Sequence, residues 1–321
     1  MASVLKRITV ISILFAAATA SFQAQTAPGK PGGYPAAGQS AIVTVVSPGA
    51  APRAALRYAI GGDYKSHMDL TMSMGMSMEL PGLPSQPMQM PAMKMGADVG
   101  VRSVAPTGDV TFDFAYTSVT TDQAAGTDPA FASLIQSMGA DLKNVRGSAT
   151  MNTRGATHGS SLDLGKLADG RMGQMMGSLG NSLDSLTVPL PEEAVGAGAR
   201  WESRQTIQSN GFEVYQKTLW ELVAVEGKTV RLKTTIEQTA PPQAVTNPAL
   251  PAGTDVSLAK FTGTGGGTVT LHLDSLIPTS EVNSSTNMTM NVNAGGSTQQ
   301  MSIGITLKMS IAPGKTAASG R

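Results

Sequence analysis

The sequence predicts a mainly β protein with minor α content: a long-stranded, curved antiparallel sheet or open half-barrel, with two short helices packed on its apolar face. Three observations lead there. Apolar and polar residues alternate over several long stretches, helical spacing is confined to two segments, and 36 glycines with 4% aromatic residues suit many turn-linked strands.

Residues 1–20 have the three parts of a secretory signal. Lys6 and Arg7 form a positive start, Ile8 to Ala17 a short apolar run, and Ala18-Thr19-Ala20 a small-residue site that predicts cleavage after Ala20. The apolar run falls short of the roughly 20 residues of a membrane helix. The expectation is therefore an exported protein, periplasmic or extracellular, without a transmembrane segment in the mature chain. Residues 21–53 are rich in Ala, Pro and Gly and read as a flexible linker, and 312–321 as a disordered tail. A single β-rich domain is expected over 54–311. It is read either as one unit or as two pseudo-repeats, 54–188 and 192–311, hinged at Pro189-Leu190-Pro191.

Within that domain, Tyr64, Ser66, Met68, Leu70, Met72, Met74, Met76 and Met78, all apolar except Ser66, alternate with Lys65, His67, Asp69, Thr71, Ser73, Gly75 and Ser77. A half-buried strand has this period of two, and at about 3.3 Å per residue this one reaches roughly 50 Å. Its length requires a bend, for which Gly75 is the natural place. Met93 to Arg102 alternates in the same way, as do Val110, Phe112, Phe114 and Tyr116, and Met301 to Ile311.

The two helical segments fall between these strands. Asp128-Pro129 caps a run of Phe131, Leu134, Ile135, Met138 and Leu142. Met172, Met175, Met176, Leu179, Leu183 and Leu186 give a second run, which Gly173, Gly177 and Gly180 weaken. Gly263-Thr264-Gly265-Gly266-Gly267-Thr268 has neither the Lys of a phosphate loop nor a following helix, and reads as a flexible hairpin or edge.

Several short motifs resemble a family of uncharacterised exported bacterial β-rich proteins, a domain of unknown function. They are Leu56-Arg57-Tyr58, Gly62-Asp63-Tyr64 before the methionine alternation, Leu190-Pro191-Glu192, Trp220 to Gly227, and Leu271-His272-Leu273-Asp274. The resemblance spans roughly residues 55–311. The sequence departs from it at Gly198-Ala199-Arg200, where the family has an acidic residue before the aromatic. The resemblance implies an exported β-rich domain and brings no activity or site residues.

Composition narrows the chemistry. The chain has no cysteine, so disulfides and amino-terminal acylation are excluded. Its 23 basic and 22 acidic residues become 21 and 22 once Lys6 and Arg7 leave with the signal, which gives no footprint for nucleic acid. His67, His158 and His272 lack partners at metal spacing, Glu192-Glu193 lies in a Pro-flanked connector, and no nucleophile elbow exists. No catalytic residue and no cofactor is expected, and the protein reads as non-catalytic.

The 19 methionines are the sharpest feature. Met72, Met74, Met76 and Met78 share a strand face, where thioethers either hold Cu(I) or fill an irregular apolar surface. The expected function is an envelope protein that binds a hydrophobic ligand or another envelope protein. The alternatives are a Met-rich copper-binding periplasmic protein using those four residues, and a purely structural surface module.

Overall fold

The computed structural model describes residues 32–80, 82, 85–122, 142–143, 145–165, 187–209, 211–246, 254–294 and 297–314. The N-terminal half forms β1 (Ile42–Ser47), β2 (Lys65–Glu79), β3 (Gln86–Gln89), β4 (Met93–Val104), β5 (Val110–Thr121), β6 (Arg146–Met151) and β7 (Thr157–Asp163). The C-terminal half forms β8 (Arg200–Ser209), β9 (Phe212–Glu226), β10 (Thr229–Ala240), β11 (Gln243–Ala244), β12 (Thr254–His272), β13 (Thr279–Ala294) and β14 (Ser297–Gly314).

Every ladder is antiparallel, and all strands belong to one unclosed sheet ordered β1-β8-β9-β10-β12-β13-β14-β2-β4-β5-β6-β7, with β11 on β12 and β3 on β2. Each half is a meander of neighbouring strands, except that β1 leaves its own half and pairs with β8. The halves join where the last strand pairs with an early one, Met309 opposite Met72 and Ile305 opposite Met76. The edges, β1 and β7, share no ladder, although Ser40 Oγ donates to the Thr157 carbonyl at 3.3 Å. The sheet thus curls so that the segment before β1 reaches the start of β7.

The alternation explains the curl's interior. Leu222, Val230, Leu232, Val269, Leu271, Val99, Val110, Phe114 and Ile311 all face inward and merge in one core. This core fills one end of the curl, which two strandless segments cross. Tyr58 and Ala59 donate backbone bonds to Thr153 and Leu273, tying the turn after β6 to the turn after β12. Leu190 bonds back to Arg154, and Trp201 Nε1 donates to the Pro189 carbonyl at 3.0 Å. Arg57 clips the two segments together by donating to the carbonyls of Pro191 and Glu192. Gly155 sits under this cap at φ +81°, and a Cβ there would collide with the Val188 carbonyl. Only glycine meets both demands.

Several expectations are corrected. The two helices fall outside the described residues except at Leu142, and the described residues give them no support. Among those residues no helix is long and apolar enough to cross a membrane. The linker expected to run to residue 53 contains β1, whose Val43 and Val45 pack against the core. Residues 312–314, expected in the tail, belong to β14, and the rest of the expected tail lies outside the described residues. Pro189-Leu190-Pro191, expected as the hinge between halves, lies in the cap, with Leu190 only 1% exposed.

The glycine run is neither hairpin nor edge. It lies mid-strand in β12, paired to β10 on one side and β13 on the other. A Cβ on Gly265 would stand 2.8 Å from the Asn283 carbonyl, and one on Gly267 would run into that of Glu281. The run lets β12 and β13 approach as sheet corners require.

Candidate functional site

Ladder registers order the inner face into transverse rows. One row runs Trp201, Trp220, Thr234, Gly267, Val282, Met309, Met72 and Met93, from β8 to β4. The next runs Ser203, Thr218, Ile236, Gly265, Ser284, Leu307 and Met74. A third runs Gln205, Gln216, Gln238, Gly263, Thr286, Ile305, Met76 and Met88. Read across, they describe two unlike walls. β8, β9 and β10 contribute hydroxyls and amides, β14, β2 and β3 contribute Met, Leu and Ile, and bare glycines of β12 separate them.

The walls share a cavity of about 520 Å³, lined by Ser203, Gln216, Thr218 and Gln238 on one side and by Leu307, Met309 and Ile311 on the other. Below it lies the capped core. Above it, on the polar side, Phe212, Val214, Leu258 and Phe261 form a second apolar cluster. The polar groups are therefore a band between two oily layers. A smaller void of about 40 Å³, bounded by Phe112, Phe114 and Tyr116, adjoins the cavity through Thr187, Pro278 and Ile311.

The band is internally bonded. Trp220 Nε1 donates to Ser203 Oγ at 3.0 Å, Gln216 Nε2 to Thr218 Oγ1 at 3.3 Å, and Gln238 Nε2 to Gln216 Oε1 at 2.8 Å. Thr234 is 3% exposed and its Oγ1 has no partner. Buried hydroxyls are almost always bonded, so an orphan beside a cavity calls for an explanation.

The four methionines singled out by sequence all lie on the inner face of β2, Met72, Met74 and Met76 half-buried and Met78 exposed at 36%. Met72 stands between Met309 and Met93, and Met76 faces Met88, whereas Met74 and Met78 face Leu307 and Ile303 across β14. His67 faces outward. Its Nδ1 lies 2.6 Å from Asp98 Oδ1, and its Nε2 faces Asp69 at 3.6 Å, where a catalytic pair would present a nucleophile. A Cβ on Gly96 or Gly314 would press on the imidazole, so these glycines make its niche. His272 Nδ1 bonds Thr229 Oγ1, and Glu192 accepts from Arg154. Among the described residues no group of three or more His, Cys, Asp or Glu side chains could hold a metal ion.

Shifted ionisations avoid the cavity. Burial pushes the Tyr58 and Tyr116 phenols up, and burial together with Glu213 does so for Tyr215. The hydrogen bond to Glu237 raises Lys217, and that from Lys228 lowers Asp274.

Sequence reading missed the polar band. A signal existed: Gln216 and Thr218 share the phase of Phe212, Val214, Trp220 and Leu222, while Thr234 and Gln238 share that of Val230, Leu232 and Ile236. Polar residues at matching places in the apolar phase of adjacent strands mark a wet band inside a sheet.

No family model and no curated protein matches the chain. Among solved structures it is similar to a mutant porin of Rh. blastica, at 10% identity over 76% of this chain and 100% of that one, with a TM-score of 0.20. It is also similar to Salmonella typhi OmpF in complex with daunomycin, at 7% identity over 77% and 98%, with a TM-score of 0.21. Overlaps this slight carry no argument about this chain.

Proposed function

We propose that this chain is an exported, non-catalytic envelope protein that holds a hydrophobic ligand inside its curled sheet. The observation behind this reading is the half-buried Met, Leu and Ile wall of β14, β2 and β3, which continues into the 520 Å³ cavity. An apolar surface leading into a cavity is the usual form of a small-molecule site, and methionine adapts to varied shapes. The leader-like pattern of residues 1–20 supports an envelope location, periplasmic or extracellular, where such a carrier has lipids to serve. Native mass spectrometry of protein taken from its own envelope is expected to find a mature chain beginning at Ser21 with a bound hydrophobe. A ligand-free chain would overturn the carrier reading and favour docking of another envelope protein.

A second reading, Cu(I) binding, is favoured by one arrangement. Met309, Met72 and Met93 fall side by side on three adjacent strands, a thioether trio that in-strand spacing alone does not supply. With Met74, Met76 and Met78 beside it, this wall is expected to bind Cu(I) more tightly than a variant with leucine at Met72, Met74, Met76 and Met78. Equal titration curves would remove the copper reading.

A further inference from the structure

We infer that the cavity selects an amphiphile with an uncharged, acceptor-rich head, an acyl ester or amide, seated against β8–β10 with its chain along β14 and β2. The inference rests on the carrier reading and specifies its ligand.

The hydrogen-bond inventory points to the head. Ser203 Oγ accepts from Trp220 and Thr218 Oγ1 accepts from Gln216, so each hydroxyl keeps its own hydrogen to donate. Thr234 Oγ1, buried in the adjacent row between Trp220 and Gly267, neither gives nor accepts. Gln216 and Gln238 hold each other in line, one amide donating to the next. The polar wall therefore offers hydroxyl donors on a fixed frame. Carbonyl oxygens of an ester or amide are the matching acceptors.

The charge inventory points the same way. Among the described residues Arg154 is the sole ionisable side chain lining the cavity, and it is engaged by Glu192 at 3.2 Å. A carboxylate or an ammonium head would enter without a counter-ion, which costs far more than burying a bonded neutral group. The opposite wall gives the chain its place: Leu307, Met309 and Ile311 line the same cavity, and the 40 Å³ void beyond Ile311 is apolar.

The test measures displacement of a fluorescent hydrophobic probe from the full-length mature chain by decanoyl glycerol, decanoate and decylamine at neutral pH. The expected result is at least about tenfold tighter binding of the glycerol ester than of either charged analogue. Thr234→Val, which keeps the shape and removes the orphan hydroxyl, is expected to weaken the ester several-fold more than it weakens the probe. The same variant is expected to melt at a higher temperature, because it no longer buries an unbonded hydroxyl. Gln216→Leu, which cuts the amide chain, is expected to weaken the ester again.

The head assignment falls if the three amphiphiles bind alike, or if both variants bind the ester as the parent does. Failure of all three to displace the probe, or failure of the probe to bind, would instead remove the carrier reading beneath it.

Discussion

Gly267 shows how much a single side chain decides. Its missing Cβ is the space taken by the Glu281 carbonyl of the neighbouring strand. Gly267→Ala is expected to destabilise the fold by about 1–3 kcal/mol, the usual cost of forcing atoms into a packed site, visible as a lower urea midpoint. Tyr58 gives the second prediction at this scale. Burial raises its phenol above the ordinary 10.0, so the unfolded chain releases this proton at a pH where the native chain retains it. Its contribution to stability is thus complete below pH 10 and is lost as pH climbs beyond that value. Native titrations of the parent and Tyr58→Phe, followed by tyrosinate absorbance, are expected to coincide until the chain unfolds. The alkaline unfolding midpoint should be higher in the variant. Neither residue's role was legible beforehand. Glycine advertises freedom in isolation and a tight corner only beside a second strand, and Tyr58 is buried by segments more than a hundred residues away in sequence.

At the scale of elements, β2 and β14 were legible, and the glycine-bearing β12 and the edge β1 were not. Alternation over Tyr64–Met78 and Met301–Ile311 places β2 and β14 correctly, because one face of each carries the apolar side chains and the other the polar ones. β1 escaped notice because Ile42-Val43-Thr44-Val45-Val46-Ser47 lacks clean alternation and sits among Ala, Pro and Gly. As an edge strand it takes its definition from the β8 ladder, Val45 opposite Trp201. Val45→Pro is expected to detach it, since proline cannot continue the ladder and Val45 also packs on the core. The bared edge of β8 would then pair with other chains, so light scattering at rising protein concentration should detect aggregation that the parent lacks.

For the molecule as a whole, the join between β14 and β2 is decisive. It brings residues 302–314 against 67–79 and turns two meanders into one curled sheet. Contacts so distant in sequence close late and slowly, and stopped-flow refolding followed through Trp201 and Trp220 should take milliseconds to seconds or longer. A chain truncated before Ser297 is expected to show no cooperative unfolding transition. It would lack the strand that carries the join, and both β13 and β2 would become bare edges.

The sequence alone determined the class of structure, the inward faces of β2, β4, β5 and β14 and the absence of disulfides, because period-two hydrophobicity and cysteine count are local properties of the chain. Only the tertiary structure decided that the glycine run is a corner, that Pro189–Pro191 is part of a buried cap, and that a band of Ser, Thr and Gln faces a wall of Met, Leu and Ile. The physical reason is that a strand's own pattern says which side is oily, while what that side touches depends on ladder registers set by strands remote in the chain. The candidate site exists between strands, in the rows those registers create.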